Sequence, residues 1–414
     1  MEVGNSLYAF LERVNPWWEM GAYRFDVYER NYYLRLIHQN KSRLIKILIG
    51  ARRVGKTSIL RSLINLYLEI AYSKKVIFLP GELPELRKRG IRSTLEMLEK
   101  KLEIDIFRDE TYVFIDEVQE VDNWQQDVKL LYDNTRIRFF VSGSSSLILK
   151  KETSKLTGRF ILLNVFPLSF REYLEFSDQQ GKHEDDLLEE YLHFGGYPEY
   201  VLNKDPVYLQ QAVESTLYRE LLDYYGIRNP SRLTQLVAFL ADKSGTPVSA
   251  NRIATDLKID DKTAKFYLEY LESVFLVYPV HRYGMSHRVS KSSLPKYYFN
   301  DTGILSIMGI RKRIGHLIEN AVFLELMRRE VFVEKPRIYY DLINGQEIDF
   351  RCREDLYEIK SQKAGLEHEL LRLEGIEETI NVVMHNYSSV SNRELPALRN
   401  VKYVDLKRFL MGEG

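Results

Sequence analysis

Between residues 44 and 165 the chain alternates short apolar runs with longer stretches of helical spacing. The runs Leu44–Ile49, Lys75–Leu79, Tyr112–Ile115, Arg138–Val141 and Phe160–Val165 have the length of strands buried on both faces. Strands separated by helical segments pair in parallel through crossover connections, so this part predicts an α/β sheet. Upstream, Leu7, Phe10, Leu11 and Val14 keep helical spacing until Pro16 and the Trp17–Trp18 pair interrupt it. The two tryptophans read as packing against the next domain rather than as a stacking platform for a ligand. Residues 167–230 carry no strand signal and read as a helical lid or connector, with FPLSFREYLEF, an acidic linker near 177–190 and FGGYPEY at 194–200.

Farther along, helical spacing covers roughly Ser231–Asp242, resumes after Pro247 with Ser249 as N-cap, and returns from Asp260-Asp261 to about Ser273. The apolar VFLVYPV that follows reads as a strand, so 231–300 predicts a helix-turn-helix with a β-wing, a winged helix. From 301 to 414 the pattern is mixed. IGHLIENAVFLELMRRE predicts an amphipathic helix, IYYDLINGQEIDFRCREDLYEIK predicts three strands with a hairpin turn at Asn344-Gly345, and a late strand falls around Thr379–Met384. The expected organisation is therefore 1–166, 167–230, 231–300 and 301–414.

Charge narrows the partners. The 414 residues hold 59 Lys+Arg and 59 Asp+Glu, which excludes a protein held on DNA by uniform positive charge but leaves room for a local stripe. Residues 273–300 contain no acidic side chain and carry Arg282, Arg288, Lys291 and Lys296. With Lys262 and Lys265 of the third helix they form a candidate clamp on a duplex backbone; the alternative is a helical unit used for protein contacts. The single cysteine, Cys352, excludes an internal disulfide framework or a multi-cysteine zinc site and reads as core. No apolar run approaches the ~20 residues of a spanning helix, and the N-terminus does not read as a signal peptide, so no membrane and a cytoplasmic location are expected.

The strongest chemical signal is GARRVGKTS, in which Gly50, Gly55, Lys56 and Thr57 follow an apolar strand and open a helix. Such glycines let the backbone aim its N–H groups at phosphate oxygens, and the helix N-terminus adds positive charge. The candidate nucleotide contacts are Gly50, Arg53, Val54, Gly55, Lys56, Thr57 and Ser58, with Arg52 and Arg53 facing either nucleotide or solvent. Lys56 reaches the β- and γ-phosphates, and the Thr57 hydroxyl is a Mg²⁺ ligand. TYVFIDEVQE supplies the partner motif: Asp116 at a strand end to hold Mg²⁺, and Glu117 to polarise water, which points to ATP hydrolysis rather than passive binding. RFFVSGSSS places Ser144 at a neighbouring strand end as a γ-phosphate sensor, and LTGR offers Arg159 as a cation for the γ-phosphate, from its own chain or a neighbour's.

A second set lies near the C-terminus. Glu319 sits on the helix, Asp349 in EIDF, and Glu358 and Lys360, spaced by two, on one face of the next strand. Three gathered carboxylates repel one another unless a metal or a proton intervenes, so a helix Glu, a strand Asp and a strand Glu-x-Lys suggest a second Mg²⁺ or Mn²⁺ site able to activate water; the bland alternative is a solvated acidic surface.

Together GARRVGKTS, VFIDEVQEVDNWQQDVKLLYD, FFVSGSSS, LTGR, FPLSFREYL, FGGYPE and PKYYFNDTGIL resemble the prokaryotic AAA+-type P-loop ATPases abundant in archaea, over about residues 30–410. In that family an ATPase core is fused to a winged helix and a PD-(D/E)XK nuclease-like domain. The resemblance implies a five-stranded parallel core with Asp116 and Glu117 as the Walker B pair and Arg159 as an arginine finger. It implies an α/β restriction-endonuclease-like C-terminal domain with Glu319, Asp349, Glu358 and Lys360 at the motif positions. The expected function is a Mg²⁺-dependent ATPase coupled to nucleic acid, DNA first, as a monomer or an oligomer. The alternative is an ATP-driven signalling or defence switch whose winged helix makes protein contacts and whose nuclease-like fold is inert.

Overall fold

A computed structural model describes residues 2–144, 156–177, 183–224, 230–284, 294–310, 313–331, 337–361, 366–385, 387, 395, 396 and 398–413. The chain divides into two compact units, Met1–Gly50 with Gly55–Val165, and Ala51–Val54 with Phe166–Gly414.

The first unit is built on β1 (Ile45–Ile49), β2 (Val76–Pro80), β3 (Tyr112–Asp116), β4 (Arg138–Gly143) and β5 (Phe160–Asn164), in the order β2-β3-β4-β1-β5. Every pairing is parallel, as the alternation of apolar runs and helices predicts. The carboxyl ends of β1, β3 and β4 therefore share one edge, the side of a parallel sheet on which ligands bind. Phe114 and Phe140 stack at 4.8 Å inside the sheet layer, with Tyr67 of the helix Lys56–Leu68 tilted over both. The N-terminal helix Glu2–Val14 and the short turn Trp17–Met20 lie along β2. Asn15 donates to Phe78 O at 2.9 Å and accepts from Phe78 N at 2.6 Å, while the indoles of Trp17 and Trp18 donate to Val76 O. These side chains satisfy backbone groups that an edge strand leaves unpaired, and both tryptophans are core residues.

The second unit begins with helices: Phe170–Phe176, Glu184–Phe194, Pro198–Asn203 and Pro206–Tyr224. A capping box between Ser169 and Glu172 starts the first of them. The three helices expected next are Pro230–Asp242, Ala250–Leu257 and Asp261–Ser273. Ser249 accepts from Arg252 N, and Asp260 from Thr263 N, so the serine read as an N-cap is one. Two motifs far apart in sequence are tied here. Asp301 accepts from Gly196 N at 2.7 Å, and a Cβ on Gly195 would lie 1.7 Å from its Oδ1.

A seven-stranded sheet completes the unit, in the order β12-β11-β10-β9-β8-β6-β7: β6 (Val277–Arg282), β7 (Lys296–Phe299), β8 (Ile338–Ile343), β9 (Gln346–Cys352), β10 (Asp355–Lys360), β11 (Ile380–Met384) and β12 (Val401–Asp405). The strand expected from Val274 starts three residues later, because Phe275 adopts φ 59° in the turn that ends the preceding helix. The strand expected as a wing pairs with β7, a strand the pattern did not announce, and that pair does not stand alone. His281 and Arg282 pair in parallel with Tyr339 and Tyr340, so the segments 231–300 and 301–414 share one sheet. The turn at Asn344-Gly345 has φ 53° and 81°, as a two-residue hairpin of that sequence requires. The helix Ile314–Arg329 departs from the amphipathic expectation: Leu317, Ile318 and every residue from Asn320 to Arg328 are buried. Packing on several sides, against β7, β9, β10 and neighbouring helices, leaves it almost no solvent face. No helix among the described residues is long and apolar enough to cross a membrane.

Candidate functional site

The phosphate loop follows β1, all five residues of which are buried, and ends where the helix Lys56–Leu68 begins. Gly50 is required by close approach: a Cβ there would fall 2.2 Å from Val165 O. Gly55 is required by conformation, at φ 95°. Lys56 is 4% exposed and its Nζ donates to Gly50 O at 2.9 Å, which folds the ammonium back over the loop. Thr57 and Ser58 begin the helix, and the Thr57 hydroxyl donates to Asp116 Oδ2 at 2.7 Å. The loop lysine, the threonine and the β3 carboxylate thus converge at one edge of the sheet.

Ser142, at the end of β4, ties the two halves of the acidic pair together. Its hydroxyl donates to Asp116 Oδ1 and accepts from Glu117 N. Burial raises the Asp116 pKa and the Glu117 charge adds to it, against the hydrogen bonds from Ser142 and Thr57. A cation at this carboxylate would reverse that balance, and the oxygens of Thr57 and Asp116 are the hard donors Mg²⁺ takes. Glu117 sits in the left-handed region at φ 48°, which turns the chain sharply off β3. Gln119 donates to Glu117 Oε2 at 2.5 Å and to Ser144 Oγ at 3.3 Å, so it bridges the expected water-orienting residue and the expected sensor. Sequence reading passed over Gln119; its signal is only its place two residues beyond Glu117.

Two of the loop residues, Arg53 and Val54, belong to the second unit. Val54 is fully buried, and Arg53, at φ 63°, pairs through Nη1 with Glu199 Oε2 at 2.9 Å. Glu199 is the acidic residue of the FGGYPE motif, so the structure gives Arg53 a protein carboxylate as partner.

The structure does not bring Arg159 to this edge. Phe160 pairs with Ile45, at the start of β1, whereas the loop leaves from Ile49. At about 3.3 Å per residue those ends are roughly 13 Å apart. Arg159 instead makes a two-pronged contact with Asp133, Nε to Oδ1 at 2.8 Å and Nη2 to Oδ2 at 3.1 Å, which lowers the Asp133 pKa. Within its own chain Arg159 is therefore held by Asp133 at the far end of β1, and of the two expected sources only a neighbouring chain would bring it to a γ-phosphate.

The C-terminal set does gather. Burial first and the Asp349 charge next raise Glu319 to about 8 and Glu358 to about 7, and Asp349 is itself raised by burial. Asp349 accepts from Ile359 N at 2.8 Å, and Lys360 Nζ pairs with Glu358 Oε1 at 2.9 Å. The carboxyl of Glu319 accepts from the Tyr298 hydroxyl at 2.6 Å and lies against Gly245, where a Cβ would sit 2.8 Å from it. Glu358 Oε2 is buried without a hydrogen-bond partner among the described residues. Yet among those residues no group of three His, Cys, Asp or Glu side chains is placed to hold a metal ion.

Lys296 explains part of this, and it corrects the candidate DNA clamp. It is 1% exposed, with Nζ 2.8 Å from Glu347 Oε1 and 4.0 Å from Glu319 Oε1. Burial opposes its charge, but Glu319, Asp349 and Glu347 override that and raise its pKa. A lysine in this position cannot reach a phosphate backbone. Lys262 and Lys265 are exposed on the helix Asp261–Ser273, and Arg282 is half-buried at the end of β6. Arg288 and Lys291 lie outside the described residues.

Comparison with known proteins places the first unit. Residues 42–174 match the model of an AAA domain, and residues 185–313 match a domain of unknown function (DUF8612). An uncharacterised protein of Methanocaldococcus jannaschii is 30% identical over 349 residues, covering 80% of this chain and 76% of the relative. An uncharacterised Haemophilus influenzae protein is 28% identical over 340 residues, covering 78% and 83%. Among solved structures, AMPPCP-bound DnaA from Aquifex aeolicus overlaps 60% of this chain and 89% of its own at 16% identity and a TM-score of 0.31. C. elegans PCH-2 overlaps 66% and 69% at 14% identity and a TM-score of 0.23.

Proposed function

Because the chain belongs to the same family as the Methanocaldococcus jannaschii relative and its residues 42–174 are an AAA domain, we propose that it is a Mg²⁺-dependent ATP hydrolase whose nucleotide state governs the handling of nucleic acid, DNA first. The observation that carries the hydrolase is the 2.7 Å contact between Thr57 Oγ1 and Asp116 Oδ2 beside a buried Lys56. Thr57 and Asp116 would hold Mg²⁺, which when bound neutralises phosphate charge. Lys56 gives the β- and γ-phosphates a cation, and loop N–H groups cradle the remaining oxygens. Glu117, held by Gln119, orients and deprotonates water, and Ser144 reports on the γ-phosphate from the same network.

The nucleic-acid half of the reading is supported by Lys262 and Lys265, three residues apart on the exposed face of a capped helix. Duplex affinity measured over a salt series tests it. Lys262→Glu with Lys265→Glu should reduce the salt slope by about 2, at ~0.9 per phosphate contact. Absence of any duplex or single-strand binding at low salt removes this half and leaves the hydrolase.

A second reading has its own observation. The burial of Lys296 takes a cation from the basic stretch, which favours an ATP-driven signalling or defence switch with protein contacts and an inert nuclease-like fold. Metal-dependent cleavage by Glu319, Asp349, Glu358 and Lys360 has in its support the buried Oε2 of Glu358, which has no hydrogen-bond partner among the described residues.

A further inference from the structure

The C-terminal carboxylates already have cations, and both belong to the protein. Lys360 Nζ lies 2.9 Å from Glu358 and 2.9 Å from Glu369, an acidic residue of the helix Leu366–Leu371. Lys296 comes from the opposite side, on β7, all four of whose residues are buried. Its Nζ reaches Glu347 and Glu319 and lies 5.3 Å from the centre of the Tyr340 ring. Tyr298, two residues along the same strand and so on the same face, donates to the very oxygen of Glu319 that Lys296 approaches. The donors thus converge on Glu319 Oε1, Asp349 Oδ2 takes a backbone N–H, and Glu358 Oε1 takes Lys360.

A hard divalent cation wants several oxygen ligands free of competing positive charge. Here Glu358 Oε2 is a buried acceptor without a hydrogen bond, but an ammonium stands 4.0 Å from the helix glutamate and 2.8 Å from Glu347. We propose that Lys296 is the resident cation of this centre: it occupies the electrostatic place of a divalent ion and makes the site a metal-free carboxylate–lysine cluster. The inference is independent of the ATPase reading, since none of these residues belongs to the phosphate loop.

The test is a Mn²⁺ titration of the full-length chain without nucleotide, read by the electron paramagnetic resonance of free Mn²⁺. Wild type should bind no Mn²⁺ that Asp349→Asn abolishes; Mn²⁺ bound equally by both belongs elsewhere. Lys296→Met should create an Asp349-dependent site at least about tenfold tighter than anything in wild type, because the repelling charge is gone and the carboxylates remain. Lys296→Arg keeps a cation and should create none. An Asp349-dependent site in wild type, or a folded Lys296→Met chain that gains no affinity, overturns the proposal. Should Lys296→Met fail to fold, the wild-type and Asp349→Asn titrations decide it alone.

Discussion

At Asp301 burial and hydrogen bonding pull in opposite directions. Gly196 N and Gly303 N donate to its two oxygens at 2.7 and 2.8 Å, which favours the carboxylate. Burial is stronger: the residue is 2% exposed, and its pKa is raised from 3.8 to about 7. A rise of that size corresponds to about 4 kcal/mol, at roughly 1.4 kcal/mol per tenfold change in the ionisation constant. The sign follows from which state holds the proton. Between about pH 4 and pH 7 the unfolded chain loses it while the folded chain keeps it, so the stability owed to Asp301 is complete below pH 4 and lost as the pH rises through 7. Asp301→Asn removes this titration and turns one acceptor into a donor facing a backbone N–H, at about 1–3 kcal/mol. Wild type should therefore be the more stable protein at about pH 5, and its advantage should shrink by up to about 3 kcal/mol towards pH 8, the part of the linkage that lies above pH 5. Urea unfolding followed by far-UV circular dichroism measures the difference at each pH. An advantage that stays constant or widens with pH would refute a buried, proton-holding Asp301.

Other substitutions address the ATP site. Arg159→Ala should leave turnover per chain within about twofold of wild type at low protein concentration, since its guanidinium is held by Asp133; a loss of the ~10³ that an arginine finger supplies would refute this placement. Gly50→Ala should abolish nucleotide binding, read as loss of the thermal shift on adding ATP, because the clash with Val165 O is between backbone and Cβ and no rotamer relieves it. Gln119→Ala should lower kcat with little change in KM, and a pure KM effect would remove it as the residue that positions Glu117.

The elements that were legible in sequence are those governed by local rules. Strands β1 to β5 announce themselves as apolar runs between helices, the phosphate loop as a spacing of glycines, and the helix starts at Ser249 and Asp260 as side chains that cap their own backbone. What stayed hidden depends on partners distant in sequence. No local pattern says that β6 will pair with β8 across some fifty residues, and β12, a short partly buried edge strand beginning Val-Lys-Tyr, gave no strand signal. Lys296 was read as a solvent cation because composition treats every lysine alike; only the fold reveals Glu347 and Glu319 beside it. Arg159 follows a glycine as a finger arginine would, but strand register puts it at the wrong end of β1.

The central claim is that Lys56, Thr57, Asp116 and Glu117 form an ATP-hydrolysing centre. Its most direct test is ATP binding and steady-state hydrolysis by the full-length chain beside Glu117→Gln. The account predicts Mg²⁺-dependent turnover by wild type, and a variant that still binds ATP but hydrolyses it at least about 10²-fold more slowly, the loss expected for a general base. Wild-type chain that binds no ATP, or a Glu117→Gln chain that turns it over at the wild-type rate, would contradict it.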